Sequence, residues 1–118
     1  MRKETIFNIG GKDYTFCLTI GAFVPMEKEL GQSLLSLLNP SEGKFTEAMT
    51  VEHMKTILKY GLKGIDKDDD AVYELMEQFI ADGGTLDTLA GKILEAVLLK
   101  SDFFIPSEIR KTMDKANG

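Results

Sequence analysis

A chain of 118 residues, 43% hydrophobic and 28% charged, has the makeup of one globular domain and carries too many apolar residues for a disordered chain. A net charge of −5 sets an average field that repels a nucleic-acid backbone. The single cysteine, Cys17, excludes an intrachain disulfide, and no run approaches the roughly 20 apolar residues that span a bilayer. A domain of this length can bury roughly two-thirds of the surface of its unfolded chain, enough for a core without metal or disulfide support.

The charged opening, Met1-Arg2-Lys3-Glu4, has no apolar run behind it and reads as no signal peptide, so the expected location is cytoplasmic. Residues 5–18 predict a β-hairpin. Ile6, Phe7 and Ile9 supply one arm, and Tyr14, Phe16 and Leu18 alternate along the other. Gly10-Gly11-Lys12-Asp13 between them predicts the turn. A lone hairpin is barely stable in water, so this one must pack on the helices that follow.

Ile20, Phe23, Val24 and Leu30 predict one face of a first helix, with Thr19 as its cap and Gly31 as its stop. Pro25 falls inside that pattern, which moves the expected start of regular helix to Phe23 or Val24. Ser33 caps a short apolar helix over Leu34–Leu38, and residues 39–43 read as a loop. Thr50 opens the next helix, with Val51, Met54, Ile57 and Leu58 as its stripe and Gly61 and Gly64 at its end.

Residues 69–82 predict a third long helix on Val72, Leu75, Met76, Phe79 and Ile80. Asp68, Asp69 and Asp70 crowd its start, where the helix dipole favours negative charge. Thr85 opens the last strong helix, whose wide face of Leu86, Leu89, Ile93, Leu94, Val97 and Leu98 runs to about Lys100. The predicted class is α+β, mainly α: a hairpin packed on a bundle of about four to five helices. Residues 1–105 read as one domain and 106–118 as a flexible tail.

Few residues suggest chemistry. Asp66, Asp68 and Asp70, with Glu74 and Glu77, fall at the first, third, fifth, ninth and twelfth places of a calcium loop. Ala71 stands where that loop needs glycine, and the helical stripe already begins at Val72, so an acidic helix start is the stronger reading. His53, the only histidine, and Cys17 form no sequence pattern of metal ligands or of an activated thiol. Gly10-Gly11-Lys12 lacks the spacing of a phosphate loop. Arg110, Lys111 and Lys115 are diluted by Glu108 and Asp114, so they make no nucleic-acid patch. Met26, Met49, Met54 and Met76 suit core filling first and an adaptable surface second. No catalytic, metal-binding or cofactor-binding residue is expected.

The organisation of the chain carries a resemblance. Phe7-Asn8-Ile9-Gly10-Gly11-Lys12-Asp13-Tyr14 is followed by Leu18-Thr19-Ile20-Gly21-Ala22-Phe23 and then by Met26-Glu27-Lys28-Glu29-Leu30-Gly31-Gln32-Ser33-Leu34-Leu35. A helix ending Leu58-Lys59-Tyr60-Gly61-Leu62 comes next, with two more separated by Gly83-Gly84. This order, which covers most of the chain, resembles the small tail-assembly chaperones of long-tailed phages and prophages, gene-transfer-agent relatives included. The resemblance does not account for Pro25 or for the acidic run at Asp66–Asp70.

The resemblance implies a non-catalytic protein of the host cytoplasm that binds the long helical tape-measure protein and keeps it soluble. Tail-tube subunits then displace it, so that it is absent from the finished particle. It also implies contact with the tail-tube protein, self-association and, in many members, a longer frameshifted product. Apolar residues that a small core can spare are the expected contact points: Met26, Leu34, Leu35, Leu37, Leu38, Phe103 and Phe104. The alternatives are a tail or connector component that stays in the particle and a calcium-binding module built on Asp66–Glu77.

Overall fold

Gly10 and Gly11 take φ values of 63° and 78°. Two successive left-handed residues make the tight turn whose twist matches the strands it joins. In the computed structural model, which describes residues 4–34 and 49–99, this turn links β1 (Thr5–Ile9) to β2 (Lys12–Phe16). Lys12 and Asp13, expected in the turn, instead pair with Ile9 and Asn8. Phe7 and Ile9 point inward and are buried, so the two-residue period of a strand turns Ile6 outward, where it is 48% exposed.

Thr19 caps α1 (Ile20–Leu30), its hydroxyl accepting the Ala22 N–H at 3.2 Å. Regular helix therefore begins at Ile20, earlier than Pro25 led the sequence reading to place it. Pro25 lies inside the helix. Its ring removes one main-chain bond, to Gly21, and both residues are on the exposed side, where the freed carbonyl is open to solvent. Gly31, at φ 76°, ends the helix and donates to the Glu27 carbonyl.

Thr50 and His53 form a reciprocal cap on α2 (Val51–Gly61): the Thr50 hydroxyl accepts the His53 N–H, and His53 Nδ1 accepts the Thr50 N–H. Met54, Ile57 and Leu58 fill the core as their spacing predicts, but Val51 is 41% exposed. Asp68 precedes α3 (Asp69–Ala81). Val72 and Met76 are buried, Leu75 and Phe79 half-buried, and Ile80 turns outward. Thr85 and Thr88 repeat the reciprocal cap on α4 (Leu86–Leu94). The chain then widens into one π-helical turn over Glu95–Leu99, with Ala96 and Val97 buried. The short helix expected at 34–38, the loop at 39–43 and the tail at 106–118 lie outside the described residues, save Leu34.

The described chain is α+β and mainly α: one two-stranded antiparallel sheet and four helices. One cluster joins Phe7, Ile9, Phe16 and Leu18 of the hairpin segment to Met26 of α1, Ile57 and Leu58 of α2, Val72 of α3 and Leu89 and Ile93 of α4. Met49, Met54 and Met76 belong to it too, so the methionines act as core filler. Main-chain bonds stitch the hairpin to α2: Cys17 N–H to the Gly61 carbonyl at 2.9 Å and Lys63 N–H to the Thr15 carbonyl at 2.8 Å. At the opposite end of the hairpin, Asp82 Oδ2 accepts the Gly10 N–H at 2.6 Å.

Candidate partner-binding surface

Successive helical residues are offset by about 100°, so Ile20 and Val24 share a stripe while Met26 lies nearly opposite Val24. The core takes the Met26 side, with Phe23 and Leu30 half-buried beside it. That leaves Ile20 at 65% and Val24 at 59% exposure, with Pro25 exposed next to them. These are the two most exposed large apolar side chains among the described residues. The sequence reading placed both in the buried stripe. The signal against it was Pro25, whose missing N–H is tolerated on a helix's solvent side and so marks the side of Gly21 and Val24 as outward.

Met26 and Leu34 do not serve as expected. Each is 0% exposed and sits in the core, so neither presents surface to a partner. Leu35, Leu37, Leu38, Phe103 and Phe104 lie outside the described residues.

A polar junction holds α1 in place. Glu29 at its C-terminal end accepts from Lys55 Nζ at 3.0 Å, Lys59 Nζ at 2.9 Å and the Tyr60 hydroxyl at 3.1 Å, all on α2. Asp69, the first residue of α3, meets the same two ammonium groups at 3.3 and 3.0 Å. Two carboxylates and two ammoniums thus tie three helices together, and Lys55, although 4% exposed, is fully paired. Below the junction, Lys67 Nζ donates to the Lys59 carbonyl at 2.7 Å and closes the end of α2.

Burial pushes the Glu29 carboxyl up, but the hydrogen bonds from Lys59, Lys55 and Tyr60 outweigh it and hold the group below its ordinary range. The Lys59 bond, chiefly, holds Asp69 down as well. A carboxyl with a lowered folded pKa contributes stability that is complete above its unfolded pKa, near 4.5 for Glu29, and lost as pH falls through the folded value. Thermal melts should therefore show Tm dropping between pH 5 and pH 3, and the drop should be shallower in Glu29→Gln.

The groups that suggested chemistry have structural work. Cys17 is buried beside the C-terminal end of α2. His53 is in the first turn of that helix, eight residues from Gly61, a separation of about 12 Å along the axis. The two do not form a nucleophile–base pair. The His53 ring caps α2 through Nδ1, and Nε2 faces the Gln32 amide at 3.3 Å. The calcium-loop pattern does not form a loop: Asp69 begins α3, so Asp70, Glu74 and Glu77 are spread along one helix. No group of three or more His, Cys, Asp or Glu among the described residues is arranged to hold a metal ion.

No helix among the described residues is long and apolar enough to cross a membrane. Among the described residues, one open concavity of about 220 Å³ is lined by Tyr14, Ile65 and Leu75 together with Lys12 and Asp66. Comparison with protein-family models, curated proteins and solved structures gives no match.

Proposed function

We propose that this chain is a non-catalytic tail-assembly chaperone that covers an apolar stripe of the tape-measure protein before the tail tube polymerises. The observation that supports this reading best is the outward apolar stripe of Ile20, Val24 and Pro25. Ile20 lies in Leu18–Phe23, one of the segments that carry the resemblance, and Val24 and Pro25 stand between it and the next, Met26–Leu35. A long amphipathic helix exposes the complementary surface, and helix-on-helix packing of such stripes is a standard mode of recognition. Modest affinity per copy, multiplied over many copies on one long partner, suits a binder that tube subunits must displace. The acidic surface keeps the coated complex soluble.

On this reading the protein works in the host cytoplasm and leaves before the particle is complete. Co-expression tests it. The long helical protein encoded beside this chain should be soluble and co-elute with several copies of it. Aggregation of that protein with this chain eluting alone would remove the proposal. The second reading, a component retained in the particle, is separated by mass spectrometry of purified particles, which would find this chain.

Variants separate binding from folding. Because Ile20 and Val24 lie outside the core, Ile20→Ser with Val24→Ser should change stability by no more than about 1 kcal/mol. The double variant should nonetheless lose co-elution with the partner.

A further inference from the structure

The hairpin has one used edge and one open one. On β2, the Thr15 carbonyl and the Cys17 N–H face away from β1, toward Lys63 and Gly61. Strand alternation then assigns the main-chain groups of Lys12, Tyr14 and Phe16 to β1, through Ile9, Phe7 and Thr5. The N–H and carbonyl groups of Ile6 and Asn8 consequently point out of the far edge of β1. The Gly10 N–H, two residues on, points the same way and is taken by Asp82. No described residue bonds to the main chain of Ile6 or Asn8 along that edge. Proteins usually blunt such an edge with a charge, a proline or a bulge. Thr5-Ile6-Phe7-Asn8-Ile9 has none of these.

We propose that this edge pairs with the same edge of a second copy of the chain, antiparallel about a two-fold axis at Ile6, to make a continuous four-stranded sheet. The register follows from the observations. Asp82 closes the edge at Gly10, so the overlap must be centred nearer the start of β1. With Ile6 opposite its counterpart, Asn8 faces Glu4 of the other copy, and each pair exchanges both main-chain bonds. Charge permits it: although each chain carries −5, the only charged residue in the overlap, Glu4, meets a neutral amide. The two half-exposed Ile6 side chains cover each other on the outer face. A closed two-fold contact of this kind uses the same patch on both copies. The inference is independent of the chaperone reading.

Size-exclusion chromatography with light scattering on the full chain, at concentrations from micromolar to submillimolar, tests it. The expected mass at the upper end is twice the 13.1 kDa of one chain. Ile6→Lys places two ammoniums at the axis, and Asn8→Pro removes an outward N–H without touching a main-chain bond to β2, at the cost of the exposed side-chain bond from Asn8 to Asp13. Each should give a monomer whose circular dichroism matches the parent, and Ile6→Val should stay dimeric. If Ile6→Lys fails to fold, Asn8→Pro carries the test. A parent that is monomeric throughout, or folded Ile6→Lys and Asn8→Pro variants that remain dimeric, would overturn the proposal.

Discussion

Phe7→Ala is expected to destabilise the protein by about 3–5 kcal/mol, a large part of the whole stability of a domain of this size. Phe7 is 0% exposed and meets the Phe16 ring at a centroid distance of 5.5 Å. Lys92 Nζ of α4 lies 5.4 Å from its centroid. Truncation therefore opens a cavity where the sheet meets the helices and also removes a ring–ring and a cation–ring contact. The midpoint of thermal unfolding should fall by about 15 °C or more. A shift of only a few degrees would mean that the hairpin packs loosely and that the cluster joining it to the helices is not the centre of the core.

Gly61→Ala is the second large effect, and its sign runs against helix propensity. Alanine in a helix is ordinarily favoured over glycine by about 1 kcal/mol. A Cβ at Gly61, however, would lie 2.1 Å from Phe16 Cε2 and 2.4 Å from Cζ. Phe16 is itself 2% exposed and has little room to move. So close an approach to a buried ring puts the overpacking penalty at about 2–3 kcal/mol, and less the propensity gain the expected net cost is about 1–2 kcal/mol. Urea unfolding of three variants separates the terms. Gly91→Ala, which meets nothing within 4 Å on α4, should stabilise by about 0.5–1 kcal/mol. Phe16→Leu in the Gly61→Ala background should recover part of the loss, because the two positions share one space. A Gly61→Ala protein as stable as the parent would show that the hairpin can slide on α2.

Local chemistry made much of this fold legible in the sequence. Gly10-Gly11 predicts a hairpin because left-handed residues are needed there, and Thr19, Thr50 and Thr85 predict helix starts because their hydroxyls cap main-chain donors. The Met54-Ile57-Leu58 spacing predicts a buried face because residues three and four apart share one side of a helix. What local chemistry could not decide is which of two apolar stripes on α1 faces inward. Ile20 and Val24 compete there with Phe23, Met26 and Leu30; Pro25 is the one local signal that favours the second set, and the positions of α2 and the hairpin complete the choice. The Glu29 junction was equally hidden. Glu29, Lys55, Lys59 and Asp69 are ordinary surface residues by type, and their role depends on the α1–α2 and α2–α3 contacts. For the binding surface this had a direct consequence: two of the expected contact residues, Met26 and Leu34, belong to the core, while the exposed pair was read as core.

The most direct test of the proposed function is site-specific photocrosslinking in cells that make both this chain and the tape-measure protein proposed as its partner. A photoreactive side chain is placed at Val24 on the outer face of α1, or at Glu74 on the exposed side of α3. The account predicts a crosslink to the tape-measure protein from position 24 and none from position 74. Crosslinks from 74 alone would contradict it, because the partner would then bind a face that carries charge and not the apolar stripe.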